Sequence, residues 1–363
     1  MTDENEQPAA TDPVIDEVVE RRRLLRGLRG TRLGISAIGV KELRGRMRGR
    51  RAFVILSLYL LLLGGFAWMV EVIMERTYST GFGGGSAFAT AAIGQGIFAA
   101  LLMLETLLVV FLAPMSTVGA ISLEREKQTL DLLATTPISS LSIVLGKLVS
   151  ALSWILLLLL ASIPVTALVF TFGGVGPDDM VKGYVVLLVT ALFYGSVGLF
   201  VSALVKRTQA ATVINLVTVI ALTAGTGFMY IFWSSMTNNG LLPNATRDES
   251  FIESLGRRPP EALLWFNPFL AQLDVVCGTE TGFGASCQII GAITNNNTQN
   301  AFNDQGLDNG FGVPRDSYWP RASTAMALVS IVLIVLAVQL VSPTRRWRIR
   351  RSRARPQPAG SDA

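Results

Sequence analysis

The sequence contains no histidine and only two cysteines among its 363 residues. Histidine is the commonest metal ligand in proteins and the usual general acid or base near neutral pH. The two cysteines, Cys277 and Cys287, have a spacing that fits no common metal-binding pattern. We therefore expect neither a metal site nor a catalytic residue in this chain, and a membrane-embedded enzyme acting on lipid is the weakest hypothesis for its function.

The sequence consists largely of long apolar blocks, and half of its residues are hydrophobic. About 20 apolar residues allow a helix to cross a bilayer, and each spanning segment must satisfy its own backbone hydrogen bonds. The predicted fold class is therefore an all-α membrane protein with six transmembrane helices, five within residues 52–233 and the sixth within 321–342. The predicted spans are Ala52–Met74, Ala91–Val118, Leu141–Phe172, Val181–Val205, Ala210–Trp233 and Ala322–Val341.

Positively charged residues predict the orientation of these spans. Of the 31 Lys and Arg residues, 24 fall in the N-terminal segment up to residue 51, the 121–147 connection, the 206–207 turn and the C-terminal tail. Connections rich in Lys and Arg stay in the cytoplasm. We therefore expect a multi-pass protein of the plasma or inner cell membrane, with both termini and the 121–147 connection in the cytoplasm.

Both ends of the chain are predicted to contact membrane lipids. Residues 1–30 form a cytoplasmic tail, and residues 31–51 place apolar side chains on one helical stripe among basic residues. The stripe is Leu33, Val40, Leu43 and Met47. It predicts an amphipathic helix that lies in the membrane interface. The basic C-terminal tail, residues 343–363, also adjoins a span, which favours anionic lipid over nucleic acid as its partner.

Residues 234–320 are predicted to form an extracellular segment before the last span. Within it, the hydrophobic stretch 262–276 is too short and too interrupted to cross a bilayer, so we predict a re-entrant or interfacial position. The oxidising exterior permits a disulfide between Cys277 and Cys287, which would stabilise the fold by about 3 kcal/mol in the chain-entropy model. Two free thiols are the alternative.

A charged segment separates the second span from the third. Glu124, Lys127 and Asp131 are spaced so that they share one face of a helix, whereas Leu123 falls on another face. We predict an amphipathic helix in the 121–137 segment, with a charged face that meets a soluble protein and a remainder that packs against the spans. A solvated connection without a partner is the alternative.

The same segment resembles the signature of type-2 ABC transporter permeases. The resemblance rests on Glu-Arg-Glu-Lys-Gln-Thr-Leu-Asp-Leu-Leu at 124–133, Thr-Pro-Ile-Ser at 136–139 and Ile-Val-Leu-Gly-Lys at 143–147. It extends to the layout of a surface helix, six spans and a re-entrant region. In that family the charged helix is the coupling helix that docks on the ATPase subunit. Many members have glycine where this chain has Gln128, a departure that we do not expect to disturb the helix.

The resemblance implies that the chain is the permease subunit of an ATP-binding-cassette transporter and that it transports outward. The residues it assigns to ATPase coupling are Glu124, Glu126, Lys127, Leu130, Asp131 and Leu132. The implied partners are ABC ATPase subunits and a second permease subunit, identical or different. ATP and Mg would bind in the ATPase, because this chain lacks the Gly-x-x-x-x-Gly-Lys-Ser/Thr loop. No cofactor is expected in the chain itself.

Glu105 lies in the middle of the second span. An ionised side chain at that depth costs about 2.5–3.5 kcal/mol on insertion scales. Either Glu105 lines a polar pathway or meets a cationic group, or it is protonated and hydrogen-bonded to another helix. A proton-coupled secondary transporter that uses Glu105 is the alternative function, although the internal repeats typical of such folds are not evident.

Overall fold

The structure is a computed structural model that describes residues 50–81, 87–128, 140–238, 261–278 and 317–341. Every regular element in these ranges is helical. Apart from residues 50 and 51, the predicted interfacial helix 31–51 lies outside the described residues. The same holds for the N-terminal tail and for the C-terminal tail.

Within the described ranges the chain forms nine α-helices. They are α1 (Arg50–Gly81), α2 (Ala87–Val118), α3 (Ser122–Glu126), α4 (Ser140–Ala167), α5 (Pro177–Leu204), α6 (Thr208–Ile220), α7 (Thr226–Asn238), α8 (Pro268–Cys277) and α9 (Trp319–Val341). A 3-10 turn, Leu168–Thr171, extends α4, and another, Glu261–Leu264, precedes α8. A π-helical turn, Ala221–Gly225, joins α6 to α7 in one continuous rod.

The prediction of six spans is confirmed. Six helical stretches of the described chain are long and apolar enough to cross a membrane, and each overlaps one predicted span. They are Phe53–Thr77, Ala89–Glu126, Ser140–Thr171, Pro177–Leu204, Thr208–Trp233 and Trp319–Val341. The all-α membrane fold is therefore as predicted.

The centre of the bundle is the pair α2 and α5, which pack against each other. At the end where α2 leads into α3, Gly198 of α5 lies so close that an added Cβ would stand 2.6 Å from the carbonyl oxygen of Pro114. At the opposite end, Gly94 of α2 touches the backbone of Gly173, in the turn between α4 and α5. These two contacts mark the ends of the central pair, referred to below as the α3 end and the opposite end.

Two elements lie at the periphery of the bundle, α1 and the α6–α7 rod. Both leave large apolar side chains exposed, including Phe53 and Trp68 on α1 and Val213 and Phe228 on the rod. Lipid tails are as apolar as these side chains, so such faces are stable against lipid as well as against another membrane helix.

The stretch predicted to be re-entrant folds as a short helix that packs on α2, α5 and α9. Asn267 caps α8 by accepting from the backbone N–H of Phe269 (3.1 Å). Its amide donates to the carbonyl oxygen of Thr223 in the π-helical turn (2.9 Å). Gln272 donates to the carbonyl oxygen of Gly183 (3.0 Å). The stretch is thus anchored on two spans by hydrogen bonds, and its re-entrant position in a bilayer stays a prediction.

Asp274 joins α8 to the start of the last span. Its Oδ2 accepts from the backbone N–H groups of Tyr318 and Trp319, both at 2.9 Å. A carboxylate in that position is favoured because the N-terminus of a helix carries partial positive charge. Burial raises the pKa of the Tyr318 phenol, which donates to the carbonyl oxygen of Leu264. The last span is therefore held by the segment that precedes it.

Candidate functional site

The segment after α2 is fixed to α5 before it leaves the bundle. The backbone N–H groups of Ile121 and Ser122 both donate to the Oγ of Ser202, each at 3.0 Å. All three residues are buried. The first N–H groups of a helix have no partner within the helix, so the Ser202 hydroxyl anchors the start of α3 to the central pair.

Glu124 attaches α3 to α4. The Nζ of Lys147 lies 2.7 Å from Glu124 Oε1, and the lysine side chain is only 7% exposed. A buried ammonium needs an anionic partner, since an unpaired charge in a poorly solvated site is strongly destabilising. The sequence motif contains both residues, but sequence reasoning did not pair them. The position of Lys147, an ionisable residue two turns inside a span, could have indicated a nearby anion, because such residues normally have a partner.

Glu126 attaches α3 to α6. Its carboxylate accepts from the backbone N–H of Thr208 (2.8 Å) and from the Thr208 hydroxyl (3.0 Å). Thr208 is the first residue of α6. The carboxylate therefore satisfies an unpaired N–H group and faces the positive end of the helix dipole. Sequence reasoning missed this contact, since the two residues are 82 positions apart.

The orientation of α3 differs from the predicted one. The prediction placed the acidic face toward a soluble partner and Leu123 against the bundle. In the structure Glu124 points to Lys147, whereas Leu123 is 43% exposed. Lys127, which the prediction also placed on the partner-facing side, is exposed. The reason is that Lys147 and the start of α6 both offer positive charge at the α3 end, and the two glutamates turn toward it.

The helix is also shorter than predicted. α3 ends at Glu126, and Gln128 has a left-handed backbone with φ 56°. A residue with a Cβ therefore occupies a conformation that glycine would adopt without steric cost. Of the residues assigned to coupling, Leu130, Asp131 and Leu132 lie outside the described residues.

Glu105 lies in a second candidate site, within a buried cluster of hydroxyl groups. The Thr166 hydroxyl donates to Glu105 Oε1 at 3.2 Å. The Tyr184 hydroxyl lies 3.0 Å from Thr166 Oγ1 and 2.9 Å from Ser162 Oγ. Tyr59 of α1 interacts with Ser162 and Glu105. Four spans thus contribute to this group of side chains, the Glu105 cluster.

Glu105 is close to the midpoint of the bundle. It stands 11 residues from Gly94, which marks the opposite end, and 12 residues from Thr117, which touches Gly198 at the α3 end. At 1.5 Å per residue these separations are about 17 Å and about 18 Å. The carboxyl is completely buried, and Oε2 has no hydrogen-bond partner among the described residues.

The cysteines and metal ligands add no further site to the described part of the chain. Cys277, the last residue of α8, is disulfide-bonded. Cys287 lies outside the described residues, and its pairing with Cys277 stays the prediction made from the sequence. Within the described ranges no cluster of Cys, Asp and Glu could hold a metal ion.

Comparison with known protein families places the chain in one of them. The family model described as "ABC-2 family transporter protein" matches residues 36–346, which covers most of the chain and includes α3, the Glu105 cluster and α8. No curated protein matches the sequence.

Proposed function

Because the chain belongs to the ABC-2 family of transporter proteins and is therefore the membrane subunit of an ABC transporter, we propose that it is the permease of an exporter driven by separate ATPase subunits. The observation that carries this proposal is the double attachment of α3. Glu124 holds α3 to α4, and Glu126 holds it to α6. A displacement of α3 from the water side would therefore reach two spans directly, without passing through a loose connection.

The surface that docks on the ATPase is formed by exposed residues of α3 and of the turn that follows it. Leu123, Lys127 and Gln128 are exposed at this end of the molecule. An apolar side chain beside an ammonium suits a protein partner, since interfaces combine an apolar contact with polar groups at its edge. Leu130, Asp131 and Leu132 follow directly in the chain and extend this docking surface. Glu124 and Glu126 act differently: they transmit the displacement to the spans.

The remaining features of the transporter follow from charge and from the family. The α3 end faces the cytoplasm, as do both termini, because most Lys and Arg residues lie on that side. ATP and Mg bind in the ATPase subunits, and the permease supplies no catalytic group. The exposed apolar faces of α1 and the α6–α7 rod contact membrane lipid or a second permease subunit, and two permeases enclose the pathway between them.

Two classes of variant distinguish docking on the ATPase from transmission of the displacement of α3 to the spans. The full chain is co-purified with its ATPase subunits from membranes of the source organism. Leu123→Asp and Lys127→Glu should lower the amount of ATPase recovered, because they change the exposed surface of α3. Glu124→Gln should retain the ATPase but weaken the link between ATP hydrolysis and movement of the spans, so that hydrolysis continues with less transport.

A matched control checks that the effect belongs to α3. Lys206→Glu makes the same charge reversal on an exposed residue of the 206–207 turn, at the same end of the molecule, and should leave ATPase recovery unchanged. If neither Leu123→Asp nor Lys127→Glu lowers recovery while both proteins fold normally, α3 is not the docking element and the proposed coupling route is wrong.

A further inference from the structure

We propose that the Glu105 cluster is a proton-binding site: Glu105 holds a bound proton when α1, α2, α4 and α5 are packed as in this structure. Nothing in the proposed coupling route uses this carboxyl. It lies near the midpoint of the bundle, whereas the attachments of α3 are at one end.

The donors around the carboxyl are too few for an ionised group. A carboxylate has about four lone-pair positions and accepts hydrogen bonds at both oxygens. Among the described residues, the hydroxyls of Ser162, Tyr184 and Thr166 interact with it. The Ser162 hydroxyl donates to the carbonyl oxygen of Leu159 at 2.8 Å, and the hydroxyl whose hydrogen bond to Oε1 has a distance, 3.2 Å, is that of Thr166. That hydroxyl has a single hydrogen, and the carbonyl oxygen of Ser162 competes for it at 3.3 Å. Oε2 is buried, and no described residue forms a hydrogen bond with it.

The charges around Glu105 do not compensate an anion either. Among the described residues, the titratable groups that face it are the phenols of Tyr59 on α1 and Tyr184 on α5, and neither is a cation. α4 contributes only the hydroxyls of Ser162 and Thr166 at this level.

The lysines of α4 and α5 are paired away from the cluster. Lys182 of α5 lies 3.0 Å from Asp178 and 3.0 Å from Asp179. Lys147 of α4 pairs with Glu124 at the α3 end. Asp274 of α8 accepts from the backbone of Tyr318 and Trp319. α6 carries no titratable residue. A buried carboxyl without a cationic partner takes up a proton, because the neutral form avoids the desolvation cost of the charge.

The bound proton gives the cluster a function in the movement of the spans. The Thr166–Glu105 hydrogen bond joins α2 to α4, the two spans that flank the α3 segment in the chain. While Glu105 is neutral, these helices can stay packed around it. If α2 and α4 separate and water enters, the carboxyl can ionise, so that the closed arrangement and proton binding favour each other.

Infrared spectroscopy of the full chain in lipid bilayers tests the proposal. At pH 7 the wild-type protein should show the C=O stretching band of a protonated carboxylic acid that Glu105→Gln lacks. Thr166→Val should shift this band to higher frequency, because it removes the hydrogen bond to the carbonyl oxygen of the acid. Since Thr166→Val keeps the side-chain volume and the carboxyl, it remains informative if Glu105→Gln does not fold.

Two results would overturn the proposal. The first is a Glu105-dependent carboxylate band at pH 7 in place of the acid band. If that carboxylate band changes when sodium and potassium are removed, the cluster is a cation site. The second is a stability result: Glu105→Gln mimics the neutral acid and should unfold near the wild-type temperature, whereas Glu105→Leu should unfold lower. If the two variants lower the unfolding temperature equally, the cluster does not require a neutral polar group at position 105.

Discussion

Lys147 and Glu124 connect the third span to the segment that precedes it, with 2.7 Å between Lys147 Nζ and Glu124 Oε1. The lysine is buried two turns inside α4, while the glutamate keeps a quarter of its side chain exposed. The pair is thus intermediate between a surface salt bridge and a fully buried one. Its main structural effect is to place α3 against the start of α4.

Neutralising Glu124 alone should lower the free energy of unfolding more than replacing both residues of the pair. Glu124→Gln removes the anion that lies 2.7 Å from the buried Lys147 ammonium, and we expect a loss of about 1–3 kcal/mol in the free energy of unfolding, below the range for fully buried pairs. The double variant Glu124→Gln/Lys147→Met should recover part of that loss, because no buried charge remains. Thermal unfolding of the purified chain in detergent gives both values, and a double-mutant cycle gives the coupling energy.

The salt bridge between Asp178 and Lys182 is the control for this measurement. It is also an ion pair at the end of a span, but Asp178 is 76% exposed. Surface pairs contribute little, so Asp178→Asn should leave the unfolding temperature nearly unchanged. Additive losses for Glu124→Gln and Lys147→Met would contradict a direct interaction between the two residues.

Removing the carboxylate of Glu126 should loosen the start of α6. Glu126→Ala deletes the acceptor of the Thr208 N–H and hydroxyl, and loss of a helix cap typically costs about 0.5–2 kcal/mol. Amide hydrogen exchange should become faster in the first turn of α6 and stay unchanged in α9. Thr212→Ala is the control, since the Thr212 hydroxyl bonds only within its own helix, to the carbonyl oxygen of Thr208. Equal exchange in Glu126→Ala and wild type would show that the cap is not formed in solution.

The sequence predicted the spans well because their signal is local. An apolar block of sufficient length is a property of consecutive residues, so all six spans could be located without knowing their neighbours. The same is true of the position of Glu105 within the second span. Its surroundings were not predictable, because Thr166 and Tyr184 are ordinary residues of two other spans and only the packing brings them to the carboxyl.

The orientation of α3 was not predictable from its own helical wheel. The wheel gives the relative direction of Glu124 and Leu123, but the direction of the bundle depends on Lys147 and Thr208, which are 23 and 84 positions away from Glu124. Electrostatic attraction to these distant groups outweighs the burial of one leucine. The left-handed turn at Gln128, two residues after the end of α3, was likewise not predictable, since glutamine has no preference for a left-handed backbone.

Replacing Gln128 with glycine should stabilise the turn after α3. A residue with a Cβ loses roughly 1–2 kcal/mol in the left-handed region, and part of the gain from Gln128→Gly is offset by the greater freedom of glycine in the unfolded chain. We expect a net gain of about 0.5–1 kcal/mol, measured as a higher unfolding temperature. Gln128→Ala keeps the Cβ and should give no gain. A lower unfolding temperature for Gln128→Gly would mean that the helix continues through residue 128.

The contact between α2 and α5 should depend on the absence of a side chain at Gly198. An added Cβ would lie 2.6 Å from the carbonyl oxygen and 2.9 Å from the Cα of Pro114, and backbone atoms cannot rotate away as a side chain can. Gly198→Ala should therefore force the central pair apart and cost about 1–3 kcal/mol, as overpacking does in other cores. Gly64→Ala in α1 is the matched control, because nothing lies within 4 Å of its added Cβ. Alanine is also the better helix former there, so the control should unfold at the wild-type temperature or above it.

If Gly198→Ala matches the control, α2 and α5 are not in backbone contact at the α3 end. Displacement of α3 would then have to reach the bundle through the attachments of Glu124 and Glu126 alone.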